Sequence, residues 1–302
     1  MISETTIAIF GPGLLGGSLA LAVQERMPAV ALRLWARRES AEAGIRACGI
    51  QAEFFTDAAA AAAGASLIIL CTPVETMASL AGRIVLADLA PGCLITDVGS
   101  VKGSVVRALE PLFGPRFIGS HPMAGSEKTG IETARGDLFQ DAVCLLTPGP
   151  DHVLTDAAAE ITSSAGTANP AFLPRLRAFW QGLGCRILEM SPEEHDEKVA
   201  RISHLPHMMA AVTTLAALRT DPDAAACAAN GFRDTTRVAG GDPGLWTGIA
   251  LENRAALLER LHAASDTLRD LVEILSKSDE EELRRFLAEA QRLRGTIPAV
   301  VS

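Results

Sequence analysis

The feature that most constrains this chain is the turn Gly11-Pro12-Gly13-Leu14-Leu15-Gly16 near its start. It follows an apolar run at 5–10 and opens a helical pattern at 14–25. The three glycines have separate tasks. The first makes a tight turn, the second lets backbone approach a pyrophosphate, and the third lets the helix pack on the strand. The helix start adds unpaired N–H groups and the positive end of a dipole. A glycine turn placed between strand and helix predicts a doubly wound parallel sheet of the Rossmann type, with a dinucleotide at its edge. Gly11, Gly13, Leu14, Leu15 and Gly16 are therefore candidate cofactor contacts.

The rhythm of the first half agrees. Apolar runs at 31–35, 67–71, 93–97, 116–118 and 142–147 alternate with helical stretches at 41–48, 77–88 and 102–109. Such alternation predicts a mainly parallel sheet covered by helices. Residues 148–170 are polar and small and read as an inserted loop, before a helix at 171–182 and a strand at 185–190. Beyond Pro192 strand signals vanish, and helices are expected at 192–219, 244–261, 263–276 and 279–292. The expected organisation is an α/β Rossmann-type domain at 1–190 followed by an all-α domain at 191–302. The apolar surface of that second domain exceeds what one sheet edge can cover, which predicts a homodimer through the residues after about 200.

Composition excludes several classes. The formal charge is −9, which gives no support to a nucleic-acid partner. An anionic substrate would then need a local cluster of basic side chains. The first half of the uncharged stretch 58–74 is alanine, and Gly64 and Pro73 flank an apolar run; it reads as a helix and a buried strand, not a membrane span. No signal-peptide pattern opens the chain, so a cytoplasmic location is expected. The six cysteines form no C-x-x-C pair and read as small buried hydrophobes in a reducing compartment.

Further groups of residues could carry chemistry. The second strand ends Leu34-Trp35-Ala36-Arg37-Arg38, with no carboxylate for a ribose 2′-hydroxyl before Glu39. Arg37 and Arg38 suit a 2′-phosphate, so NADP is favoured over NAD. Cys71-Thr72-Pro73-Val74 leaves another strand end and is expected along the nicotinamide ribose. Asp97-Val98-Gly99-Ser100-Val101-Lys102 ends the next strand, and His121 follows in the glycine-rich stretch 119–130. In the helical half, Ser203 and His207 are four apart and share a helix face, with His204 offset. Arg233 and Arg237 are likewise four apart. No H-E-x-x-H occurs and no cysteine is suitably spaced, so no metal site is expected.

Taken in order, GPGLLGGS at 11–18, DVGSVK at 97–102, GSHPMAGSEKTG at 119–130, MSPEEHD to SHLPH at 190–207 and FRDTTRVAGGDPGLW at 232–246 resemble the prephenate/arogenate (cyclohexadienyl) dehydrogenase family of tyrosine biosynthesis. The resemblance implies a Rossmann domain, a helical dimerisation domain and an active site between them. It implies NAD(P)-dependent oxidative decarboxylation of a small dicarboxylate, prephenate or arogenate. It further implies that His121 assists deprotonation of the ring hydroxyl and that Ser100 orients that hydroxyl or the nicotinamide. Arg237 would bind a substrate carboxylate, and Arg233 would add a basic group. Ser203, His207 and Glu127 would surround the substrate's side-chain end, with Trp246 as a wall. The insertion around 151–169 departs from the family pattern, and Arg233 stands where a lysine is expected in relatives.

Two other readings use the same residues. A β-hydroxy-acid dehydrogenase or pyrroline-5-carboxylate reductase shares the architecture, but the former expects a catalytic lysine near residue 170. The helix at 171–182 offers Arg175 and Arg177 and no lysine. A non-catalytic NAD(P) sensor would have lost the polar set that Ser100, His121 and Arg237 represent. Neither prephenate nor arogenate is preferred by the sequence.

Overall fold

The computed structural model describes residues 5–125, 128–149 and 172–297. They form two compact units, Met1–Asn253 and Arg254–Ser302.

In the first unit, β1 (Thr6–Phe10), β2 (Ala31–Trp35), β3 (Glu53–Phe55), β4 (Leu67–Leu70) and β5 (Leu94–Asp97) form a parallel sheet in the order β3-β2-β1-β4-β5. The chain starts at the centre and winds out to both sides, as a dinucleotide-binding half-sheet does. Alternation along the strands divides the core into two layers. Ile7, Ile9, Ile69 and Leu94 point to one face, against Leu19 and Val23 of α1 (Leu14–Arg26) and Trp180 of a later helix. Ala8, Phe10, Ile68 and Ile95 point to the other, against α3 (Ala58–Ala62), α4 (Val74–Ile84) and α5 (Gly103–Phe113). Between β2 and β3 lies α2 (Ala41–Ala47). With both faces covered, β1 and β4 are nearly continuous apolar runs.

The strands after β5 form a second sheet of three, in the order β6-β7-β8, and differ from the sequence expectation. The strand expected at 116–118 is absent: Arg116 ends a 3-10 turn at Gly114–Arg116, and Phe117 makes only a single parallel bridge to Ile95. The strand is β6, Gly119–Pro122, and it runs antiparallel to β7 (Val143–Thr147). β7 pairs in parallel with β8 (Arg186–Glu189), which follows α6 (Phe172–Gly182). The glycine, serine and proline of β6 have low strand propensity, so pairing with the apolar β7 creates the strand. The inserted loop falls largely in residues 150–171, outside the described residues.

The helical part also breaks where one helix was expected. α7 (Pro192–Val199) is capped by Ser191, whose hydroxyl accepts from the Glu194 N–H at 3.1 Å. A π-helical turn at Ala200–His204 then leads into α8 (Leu205–Leu218). Pro206 is the physical reason: it has no N–H for the Ile202 carbonyl, and a widened turn relieves its ring. After α9 (Asn230–Thr236) and a 3-10 turn at Arg237–Gly240, α10 (Pro243–Glu252) ends at Asn253. The expected helix boundary near 262 therefore lies at 253.

The second unit contains α11 (Arg254–Lys277) and α12 (Glu280–Arg294). Asp279 caps α12 by accepting from the Glu282 N–H at 2.9 Å. Both helices leave apolar side chains in solvent, including Leu268, Val272 and Leu275 on α11 and Leu287 and Leu293 on α12.

Candidate active site

The parallel register places one row of residues, Trp35, Phe10, Leu70 and Asp97, side by side at the strand exits. Every loop leaving that row opens on one edge, where ligands of doubly wound sheets bind. The glycine turn leaves β1 there. Gly11 has φ +104°, and a Cβ on it would lie 3.0 Å from the Cys71 backbone. A Cβ on Gly16 would lie 2.1 Å from the Gly11 carbonyl oxygen. These two glycines close the turn on itself and on β4. Gly13 is different: a Cβ there meets nothing within 4 Å.

The turn fits a dinucleotide pyrophosphate. Gly17 donates the first regular bond of α1, to the Gly13 carbonyl at 2.8 Å. The N–H groups of Leu14, Leu15 and Gly16 are thus left without intrahelical partners at the helix start, beside the open face of Gly13. Thr72 at the neighbouring strand exit keeps a buried hydroxyl without a protein partner. Cys71, Thr72 and Val74 are half-buried and Pro73 is exposed. Arg37 and Arg38 are exposed past β2, and neither guanidinium pairs with a described residue.

Asp97 connects this edge to β6. Its carboxylate accepts the Gly99 N–H at 2.8 Å and the Ser120 N–H at 3.3 Å and pairs with the Lys102 ammonium. Lys102 is fully buried, and so is its partner, so each charge satisfies the other. A second connection supports the same strand. The Trp180 indole N–H donates to the Ser120 hydroxyl at 3.1 Å, and Ser120 lies 2.6 Å from the Thr96 hydroxyl. Thr96 gives its own proton to the Ile118 carbonyl at 2.7 Å, so Ser120 donates to Thr96.

This bracing fixes His121, buried on β6. Burial holds its pKa well below the usual 6.5, and the cations Lys102, His195 and His204 would make push it in the same direction. The imidazole is therefore neutral at pH 7. Its Nδ1 lies 2.9 Å from His195 Nε2, and His195 Nδ1 lies 2.9 Å from Asp196 Oδ1. Asp196 in turn accepts the N–H groups of Lys102 at 2.7 Å and Gly103 at 2.8 Å, at the start of α5. Burial alone would raise its carboxyl, but the bonds from His195 and those two N–H groups outweigh it and hold the group ionised.

The helical segments complete the site. Asn253 donates from its side-chain amide to the Asp196 carbonyl at 2.8 Å and lies 3.2 Å from His204 Nδ1. His204 is buried and pushed down to about 4, chiefly by that burial. His207 stacks on Trp246 with ring centroids 3.4 Å apart, and His204 meets the same indole edge-on. The π turn thus turns His204 and His207 toward Trp246, while Ser203 is half-buried. A Cβ on Gly248 would approach the Glu75 carboxylate at 3.0 Å, so α10 lies beside the start of α4 at the sheet edge. Ser100, half-buried, sits at the β5 exit.

Other expected residues are placed less centrally. Arg233 is exposed on α9, its Nε donating to the Ala228 carbonyl at 3.3 Å. Arg237 is exposed at the start of the 3-10 turn, so the two arginines do not share one continuous α-helix. Glu127 lies outside the described residues. His195, Asp196 and Asn253 were not singled out from the sequence. His195 sits in the polar run Pro192-Glu193-Glu194-His195-Asp196-Glu197-Lys198, which reads as a solvated helix. The one available signal was its spacing four before the apolar Val199, which is also buried.

A glycine turn open to a pyrophosphate, beside a buried neutral histidine at the same sheet edge, defines a dinucleotide-dependent dehydrogenase of the Rossmann type. Two family models match, Prephenate dehydrogenase, nucleotide-binding domain, over residues 19–166 and Prephenate dehydrogenase, dimerization domain, over 191–289. The chain belongs to the prephenate dehydrogenase family. It is 32% identical to the prephenate dehydrogenase of Bacillus subtilis, over 98% of this chain and 76% of that protein. It is 33% identical to the cyclohexadienyl dehydrogenase of Zymomonas mobilis, over 95% and 94%. Among solved structures, Aquifex aeolicus prephenate dehydrogenase in complex with hydroxyphenyl propionate and NAD+ superposes with a TM-score of 0.83 at 28% identity, covering 98% and 99% of the two chains. Synechocystis arogenate dehydrogenase gives 0.77 at 31%, covering 97% and 100%.

Proposed function

We propose that this protein oxidatively decarboxylates prephenate, arogenate or both, with a nicotinamide dinucleotide as hydride acceptor. The observation that carries the reading is a buried, neutral His121 fixed by Asp97 and Ser120 to the edge on which the glycine turn opens. The ring of either substrate bears a hydroxyl at C4 and a carboxylate at C1. Oxidation at C4 makes a carbonyl, and loss of CO2 from C1 gives the aromatic product. Aromatisation drives the reaction, so the protein's work is placement and charge handling. NAD(P)+, when bound, takes the hydride from C4.

His121 accepts the hydroxyl proton, a contribution of about 10²- to 10⁴-fold for such a base. Ser100, at the adjoining strand exit, orients the hydroxyl. Arg237 binds a substrate carboxylate through its planar fork of donors, with Arg233 as a further cation. His207, Ser203 and Glu127 surround the side-chain end, and Trp246, on which His207 stacks, forms the wall. Gly11, Gly13, Leu14, Leu15 and Gly16 hold the pyrophosphate, and Cys71 to Val74 line the nicotinamide ribose. Arg37 and Arg38 favour NADP, a reading supported by the absence of a described ion-pair partner for either.

In this reading residues 1–190 carry the cofactor and 191–302 the substrate pocket and dimer contacts. The exposed leucines of α11 and α12 support a homodimer through the helical half. Six cysteines, none of them in a disulfide, support a reducing, cytoplasmic location. No described helix is long and apolar enough to cross a membrane. Incubation with prephenate or arogenate, each with NAD+ or NADP+, tests the function. At least one pairing is expected to reduce the nicotinamide; four inactive pairings would overturn the reading.

A further inference from the structure

We propose that His195 and Asp196 are positioning residues that hold His121 as its Nδ1–H tautomer and leave the Nε2 lone pair as the proton acceptor. The proposal rests on the reading of His121 as the base. It follows from two backbone N–H groups whose role cannot change. Lys102 and Gly103 both donate to the Asp196 carboxylate, one to each oxygen. A carboxylate receiving two N–H bonds is ionised and can only accept. His195 Nδ1, 2.9 Å from Oδ1, must then be the donor.

The next two assignments are forced in turn. Burial keeps His195 neutral at pH 7, so its Nε2 carries a lone pair. His121 Nδ1 lies 2.9 Å from that lone pair and must donate to it. His121 is neutral as well, which leaves Nε2 bare. No described group hydrogen-bonds that Nε2. The tautomer of the base is thus set through two side chains by the N-terminus of α5. When the hydroxyl O–H bond breaks and the proton bonds to Nε2, the new imidazolium keeps its Nδ1–H bond to His195, whose acceptor strength Asp196 raises.

The same residue pair reaches the second face of the site. Asn253 spends one amide proton on the Asp196 carbonyl and turns the other toward His204 Nδ1. His204 then carries its proton on Nε2. The charged and titratable groups facing His121 are His195 from α7, Lys102 ahead of α5 and His204 from the π turn. The Lys102 ammonium pairs with the Asp97 carboxylate, and both side chains are fully buried.

The test uses the full chain labelled with ¹⁵N at its histidine rings, with His121 assigned by loss of its signals in His121→Asn. At neutral pH His121 is expected to show a protonated Nδ1 and a bare Nε2. Asp196→Ala removes the acceptor of the His195 Nδ1–H, which frees His195 to carry its proton on Nε2 and should move the His121 proton to Nε2. That variant is expected to lose kcat by at least about 10²-fold with KM changed only a few-fold, and raising the pH should not restore it. His195→Gln can still present an acceptor to Nδ1 and should retain kcat within about tenfold, whereas His195→Leu should lose about 10²-fold or more. An Nε2–H tautomer in the unsubstituted protein, or His195→Leu with kcat within threefold of it, would overturn the proposal. Should the leucine variant not fold, the spectrum and the glutamine variant still decide. A spectrum as expected in a protein that turns over neither substrate would sink the functional reading and leave the tautomer assignment standing.

Discussion

The two inner glycines of the cofactor turn should fail in different ways when each becomes alanine. Gly16 has its missing Cβ 2.1 Å from the Gly11 carbonyl oxygen, more than an ångström inside ordinary contact. The neighbour is backbone, not a flexible side chain, so relief requires moving α1 off β1. Overpacking of this kind costs about 1–3 kcal/mol or more, against a helix-propensity gain of about 1 kcal/mol. We expect Gly16→Ala to lose about 2 kcal/mol of stability and to lower Tm by several degrees. Gly13 has φ −90°, which alanine adopts readily, and open space at its Cβ position. Gly13→Ala should keep or slightly raise Tm, by up to about 1 kcal/mol of unfolded-state entropy. Its methyl occupies the approach of the pyrophosphate, and dinucleotide affinity should fall at least tenfold, about 1.4 kcal/mol. Thermal unfolding and a titration with NAD+ and NADP+ separate the two. A Gly13→Ala protein that binds both dinucleotides normally would refute the assignment of that space to the cofactor.

Replacing Arg37 and Arg38 together by serine should weaken NADP+ at least tenfold and leave NAD+ within about twofold, since each contact is made to the 2′-phosphate; equal losses for both would refute the selectivity reading. Arg237→Gln should act mainly on KM, and an unchanged KM would remove it from carboxylate binding. Acidification should destabilise the fold. His121, His195, His204 and His207 all have folded pKa values below 6.5, so the unfolded chain binds more protons, and stability present above about pH 7 is lost as pH falls, for His204 down to about 4. Urea unfolding at pH 7 and pH 5 should show a lower midpoint at pH 5; equal midpoints would contradict the burial of these rings.

The sheet was legible because both of its faces are covered, which makes β1 and β4 nearly unbroken apolar runs. The glycine turn was legible because its geometry admits few other residues. β6 was misplaced because Gly119, Ser120 and Pro122 have no strand preference of their own; a bridge to β7 and the Trp180–Ser120–Thr96 bonds make the strand. His121 could be singled out from its setting, but its tautomer could not, because that depends on N–H groups of Lys102 and Gly103 ninety-odd residues from Asp196. Lys102 itself was quoted only as part of a motif. Nothing local distinguishes a fully buried lysine from an exposed one until its carboxylate, Asp97, is placed by the sheet. Asn253 lies inside an apparently continuous helical pattern, and only the bonds to Asp196 and His204 explain why the helix ends there.

The central claim is an oxidation coupled to loss of a carboxylate. The most direct test is the ratio of CO2 released to nicotinamide reduced, measured together on whichever substrate and cofactor pairing is active. One CO2 per hydride, in the unsubstituted protein and in the residual activity of His121→Asn, is the predicted result. Nicotinamide reduction without CO2 would contradict it and place the chain among simple alcohol dehydrogenases.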